Sequence, residues 1–184
     1  GKVLRRFGVP FTYMTNSRLE DPVFERGLRD FMAVCNVVKT FRHIRILQIS
    51  TRPFDFWSTM CNEGELLEKF NIQLAPIPMG ELVDEVRKNL RNVAETQEVM
   101  TYCRANMNIA IKDDELEKVA AMKVAMKHLA EKYGCNAIAI QCWNQLQTEL
   151  GIMPCAASAL LNEEGIPTVC ETDIHGAITA LRVA

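Results

Sequence analysis

Four consecutive apolar residues, Ala137-Ile138-Ala139-Ile140, follow a long helical pattern that stops at Gly134 and precede the polar turn Gln141-Cys142-Trp143-Asn144. So short a run, apolar at every position and bounded by turn residues, suits a strand buried on both faces, the central strand of a parallel sheet covered by helices. The helix before it opens at Asp113-Asp114 and runs to about Tyr133. Its first turn is acidic, and Lys127, His128 and Lys132 lie towards its end, as the helix dipole favours.

The rest of the chain repeats this alternation. Asp21-Pro22 opens a helix carrying Phe24, Leu28, Phe31, Val34, Val38 and Phe41 at helical spacing, which predicts one buried face. Ile44–Ser50 is a β-branched strand. Glu63–Phe70 reads as a helix, Ile72–Ile77 as a strand, Gly80–Leu90 as a helix with Leu82, Val83, Val86 and Leu90 inward, and Val93–Arg104 as a more polar helix. After the central strand come a short amphipathic stretch, Leu146–Leu150, and a helix, Cys155–Asn162, stopping at Gly165. A last strand, Thr168–Cys170, leads into a helix that Asp173 can cap. Val9–Met14 suggests one more short strand, confined by Pro10 to a strand start or an edge. The order predicts an α/β fold, a Rossmann-like three-layer domain with a mostly parallel sheet, over residues 1–184 as a single domain. The absence of an initiator methionine and the apolar close at Ala177–Ala184 suggest the excised piece of a longer chain, the alternative being a C-terminal helix docked on its own domain.

Composition narrows the function classes. A formal net charge of -2 with 24% charged residues offers no concentrated basic face for nucleic acid. No apolar run approaches the roughly 20 residues of a membrane helix. The seven cysteines are scattered, without a CxxC pair, and read as reduced thiols, so the expected location is cytoplasmic. Glycine-rich dinucleotide and P-loop fingerprints, a GxSxG elbow and HExxH are all missing.

Chemistry-bearing residues gather at strand ends. In Cys170-Glu171-Thr172-Asp173-Ile174-His175-Gly176 an extended backbone would aim Glu171, Asp173 and His175 to one side. Asp173 is either a helix cap or a functional carboxylate, and Glu171, closing an apolar strand, calls for an arginine or a divalent metal. His175 is either a neutral ligand or a surface histidine. Oxygen donors dominate, which favours magnesium or manganese over zinc. The loop Thr51-Arg52-Pro53-Phe54-Asp55-Phe56-Trp57-Ser58 either lines a ligand crevice or folds its rings into a small core. Cys142 and Cys170 read as semi-buried thiols or, less simply, nucleophiles.

The runs Asn136–Trp143, Leu150–Cys155, Leu160–Pro167 and Cys170–Ala177, with Arg52-Pro53-Phe54 and Asn62–Pro78, resemble the L-fucose isomerase and L-arabinose isomerase superfamily, in particular its fucose-isomerase-like branch. The resemblance covers about residue 44 to the end. It implies the middle of three domains in an aldose–ketose isomerase that uses manganese and an enediol intermediate, with the fragment inactive alone. It also implies Asp173 as a metal-binding and proton-transferring carboxylate, with Glu171 in the same motif. For the other family carboxylate, aligning through Ala159–Asn162 gives Ser158, and a gapless count from Asp173 gives Glu149. The implied partners are a monosaccharide and further copies of the chain in a homo-oligomer; the strand-end positions Arg52, Trp57, Cys142, Trp143 and His175 are the expected sugar contacts. The alternative is a non-catalytic sugar-binding or assembly domain.

Overall fold

Each β-strand of the computed structural model carries its apolar side chains to both faces. The model describes residues 1–91 and 93–181. Strands β1 (Arg45–Ile49), β2 (Gln73–Ile77), β3 (Ala137–Ile140) and β4 (Thr168–Cys170) form one all-parallel sheet in the order β2-β1-β3-β4. Alternation decides the layers. Leu47, Ile49, Ile138 and Ile140 face a core built with helices α4 (Met79–Asn89), α6 (Asp113–Lys132), α7 (Gln145–Leu150) and α8 (Cys155–Glu163). Their neighbours Ile44, Ile46, Ala137 and Ala139 face a second core closed by Leu66 of α3 (Glu63–Phe70) and by Ile174 and Ala177 of α9 (Ile174–Ala180). The result is the three-layer α/β fold that the strand–helix order implies. Helix α5 (Val93–Asn106) lies outside α6 and packs Met100 and Cys103 against Leu116, Ala120 and Leu160.

The helix stops are local. Asn71 in the left-handed region ends α3, and Gly134 and Gly151 turn the chain after α6 and α7 at φ +62° and +71°. Asn162 of α8 fixes the entry to β4, donating to Thr168 O and Ser158 O and accepting from Thr168 N at 3.0 Å.

Two compact units divide the chain, Gly1–Thr40 and the α/β body from Phe41 onward. The first holds α1 (Lys2–Arg6), which the sequence reading missed, and most of α2 (Pro22–Phe41). Val9–Met14 forms no strand: it has no partner strand to pair with and runs irregularly. The expected buried face of α2 is also corrected. No residue of α2 is buried: Leu28, Phe31, Val34 and Val38 are exposed, and Phe24 and Phe41 are partly buried. Gly27 lets Met14 approach closely, since a Cβ there would collide with the Met14 sulfur. The apolar close at Ala177–Ala184 is helical only over Ala177–Ala180, the end of α9: Leu181 leaves the helix at ψ 109°, and residues 182–184 lie outside the described residues.

Glu81 of α4 accepts hydrogen bonds from Lys132 Nζ at 2.9 Å and Tyr133 Oη at 2.7 Å, tying α4 to the end of α6. The Lys132 hydrogen bond, then the Tyr133 one, hold its carboxyl below the ordinary range. A depressed carboxyl contributes stability that is present above its unfolded pKa and is lost as pH falls through the folded one. Glu81→Gln is therefore expected to lower stability at pH 7 and to narrow the loss between pH 5 and pH 3, read by urea unfolding at each pH. Equal losses in wild type and variant across that interval would remove Glu81 from the acid limb.

Candidate functional site

Strand order reverses about β1. The chain moves from β1 to β2 on one side, then returns to place β3 and β4 on the other. In open parallel sheets the crevice at the carboxyl end of such a reversal is where ligands sit. Here the reversal lies between Ser50, after β1, and Gln141, after β3, and the Ser50 hydroxyl bridges the two by donating to Gln141 Oε1 at 2.7 Å.

Backbone strain concentrates on the same edge. Of the five non-glycine residues with positive φ among those described, Asn71 is the α3 cap, and the other four follow strands: Ser50 (68°), Asn144 (69°), Glu171 (56°) and Thr172 (52°). Such residues cost on the order of 1 kcal/mol or more each and cluster where function holds them. None is glycine, so no glycine signal marked these turns in the sequence.

The turn after β4 reshapes the expected carboxylate cluster. Because Glu171 and Thr172 are left-handed, the extended alternation ends at Cys170, and Glu171, Asp173 and His175 do not share one face. Glu171 is 7% exposed. The Cys142 thiol donates to its Oε1, while its Oε2 is buried without a hydrogen-bond partner. Burial first, then that hydrogen bond, pushes the Cys142 thiol far above the usual thiol range, so the thiol stays protonated and acts as a donor. Burial likewise raises Cys170, against a hydrogen bond with Cys142 that lowers it. Cys142 is a buried thiol that donates, whereas Cys170, expected to be semi-buried, is exposed at the strand end and accepts from Cys142.

Asp173 caps α9, its Oδ1 accepting from Gly176 N at 2.9 Å. Gly176 makes room for this carboxylate, since a Cβ there would come within 2.5 Å of Asp173 Oδ2. The cap leaves Oδ2 without a hydrogen bond among the described residues, so the structural and functional readings of Asp173 are compatible. His175, in the first turn of α9, lines a different groove with Phe41, Asn62, Leu66, Phe70 and Ile178. Glu149 sits in α7, its carboxylate paired with Arg87 of α4 at 3.2 Å. Ser158 is buried in α8, and its Oγ has no partner.

The loop after β1 keeps its rings near the surface. Phe54 and Trp57 meet edge to face with centroids 6.1 Å apart, and Phe56 meets Trp143 at 5.5 Å, joining the loops after β1 and β3. Phe54, Trp57 and Trp143 remain exposed, which suits a pocket wall better than a small core. Arg52 lies over the Trp57 ring at 5.3 Å, and its Nη1 donates to Pro53 O and Phe54 O. Beside it Gln48, Thr51, Arg52, Thr59 and Thr172 line a cleft of about 260 Å³. Gln48, Ser50, Gln141 and Thr172 are edge residues that the sequence reading missed, because only the fold brings positions 91 residues apart together.

A manganese or magnesium ion asks for hard oxygen donors. Glu171 Oε2 and Asp173 Oδ2, both without hydrogen-bond partners on one strand-end turn, fit that chemistry as a partial set. No group of three or more His, Cys, Asp and Glu side chains able to hold a metal occurs among the described residues, so these two carboxylates would need ligands from elsewhere. No helix among the described residues is long and apolar enough to cross a membrane.

No family model matches the chain. It is 28% identical over 177 residues to the sulfoquinovose isomerases of Priestia aryabhattai and Priestia megaterium, covering 96% of this chain and 39% of each relative. The sulfoquinovose isomerase of Alkalicoccus urumqiensis is 27% identical over 96% of this chain and 40% of its own length. The chain thus spans about two fifths of the curated relatives it matches. Over nearly its whole length it is similar to sugar isomerases, and the substrate in their name is sulfoquinovose, not fucose or arabinose.

Proposed function

We propose that this chain supplies part of the active site of an aldose–ketose isomerase whose substrate is a monosaccharide of the sulfoquinovose type. The observation that carries the reading is Glu171, a buried carboxylate with an unpartnered oxygen at the strand-end turn that also presents Asp173. The likeness to sulfoquinovose isomerases supports the isomerase part of the reading, and the assignment of that chemistry to this turn is the proposal.

Isomerisation moves a proton between C1 and C2 and stabilises the enediol between them. Asp173 is the base in this proposal, held by its cap through Oδ1 so that Oδ2, which no cap hydrogen bond uses, is the oxygen that takes the proton. Glu171 and Asp173 would hold the divalent metal, manganese in first place, which supplies charge stabilisation at neighbouring sugar oxygens. Glu149 is the second proton carrier. Its pair with Arg87 is about half exposed and worth little, so releasing it costs little. Trp57 and Trp143 shape the wall, Cys142 holds the Glu171 carboxylate from behind it, and His175 approaches from the neighbouring groove if other parts of the subunit close over it. Homo-oligomeric assembly belongs to the same proposal.

Metal content and turnover on the full-length protein test it together. Manganese bound in stoichiometric amount, with aldose–ketose conversion that EDTA abolishes and manganese restores, is the expected result. Sugar binding that is indifferent to EDTA and yields no conversion would instead make this a non-catalytic sugar-binding domain.

A further inference from the structure

Arg52 has no ion-pair partner among the described residues, although it lies on the edge that gathers the site. Its guanidinium is nevertheless fixed. The two Nη1 hydrogen bonds to Pro53 O and Phe54 O, at 3.1 and 3.0 Å, and the Trp57 ring set its plane. Nη1 is thereby used, and the Nε and Nη2 donors have no hydrogen-bond partner among the described residues, the edge that grips a planar or tetrahedral oxyanion with two parallel hydrogen bonds.

The cleft beside it continues that chemistry. The Thr51 hydroxyl makes no hydrogen bond among the described residues, and Gln48 Nε2, which donates once to Ser50 O at 3.1 Å, has a second N–H to give. Thr59 and Thr172 commit their hydroxyl protons to Phe56 O and Glu171 O and leave only acceptor capacity. Glu63 is the one carboxylate of the lining and is exposed. Thr172 lines the cleft and stands between Glu171 and Asp173 in sequence, so the cleft borders the turn that carries the proposed chemistry, although neither carboxylate is in its lining.

We propose that the Gln48–Thr51–Arg52 cleft is the oxyanion subsite that holds the sulfonate of the sugar while its C1–C2 end lies towards Asp173. This rests on the isomerase reading above. A sulfonate is a single-charged acceptor with three equivalent oxygens and no proton to give. Such a group matches a cation fork, a hydroxyl and an amide N–H, and gains nothing from a carboxylate-rich pocket.

The test measures kcat/KM of the full-length protein on sulfoquinovose and on 6-deoxyglucose, its counterpart without the sulfonate, for wild type, Arg52→Met and Arg52→Lys. The ratio of the two values does not depend on the fraction of protein that is folded, so a partly unfolded variant still gives an answer. Arg52→Met is expected to lower the preference for the sulfonated sugar on the order of 30-fold, the scale of a lost charge-assisted hydrogen-bond pair, mostly through KM. Arg52→Lys, which keeps charge and loses the fork, should fall between. A ratio unchanged in Arg52→Met would overturn the subsite and leave Arg52 as a brace of the loop. Methanesulfonate binding, followed by calorimetry, judges the subsite without turnover: wild type binds and Arg52→Met does not. A wild-type protein that isomerises neither sugar but binds methanesulfonate through Arg52 would remove the isomerase reading and keep the oxyanion site.

Discussion

Asp173→Asn in the full-length protein is expected to cut sugar isomerisation by on the order of 10²- to 10⁴-fold, the range supplied by a positioned general base, with almost no change in stability. The two halves of that expectation have separate causes. Asparagine caps a helix about as well as aspartate, so the bond from Gly176 N survives and unfolding should shift by no more than a few tenths of a kcal/mol. What is lost is the negative charge on Oδ2. Asp173→Ala removes both and should cost about 1 kcal/mol more in stability. Gly176→Ala is the complementary probe, because its Cβ would displace the carboxylate without altering its charge. Activity should fall there too, with the carboxylate still present. Full turnover in Asp173→Asn would leave Asp173 a cap and nothing else.

Most of this architecture is written in short-range signals. Strands β3 and β4 and helix α3 match the sequence reading residue for residue, because apolar runs and their stops act over four to eight residues. The site was legible only as a list of residue types. Glu171 and Asp173 stand out by chemistry, but the left-handed turn at Glu171 and Thr172 has no glycine to betray it, so the sequence suggested a shared face that the backbone denies to His175. Glu149 could not be placed by counting, since its pairing with Arg87 depends on how α4 and α7 pack. The periodic stripe of α2 signalled a helix correctly and burial incorrectly, because periodicity reports which face is apolar and not what covers it. The cleft at Arg52 required Thr172 from a strand two places away in the sheet, a relation no local pattern contains.

Glu171→Gln should have opposite effects on stability and on activity. A buried carboxylate normally accepts several hydrogen bonds or meets a cation, whereas here one oxygen has only a thiol, a weak donor, and the other has nothing. The ionised group therefore costs folding energy, and a neutral amide of the same shape, still able to accept from Cys142, should stabilise this chain by about 1 kcal/mol in the absence of metal. Divalent metal should reverse the order. Manganese at about 100 times its Kd would stabilise wild type by about 2.7 kcal/mol, and the variant, with one anionic ligand fewer, by much less. Turnover of the full-length variant should drop at least about 100-fold for the same reason. Urea unfolding of both proteins with EDTA and with manganese reads the crossing directly. If Glu171→Gln is instead less stable under EDTA, the carboxylate already has a partner that outweighs its burial, and its role is structural. If the variant is more stable but fully active, the strain at the turn serves some group other than Glu171. A crossing of the two stability curves together with lost turnover is the outcome that ties the unpartnered oxygen to the chemistry, because only a ligand that needs the charge would make the less stable apo protein the more stable one when bound.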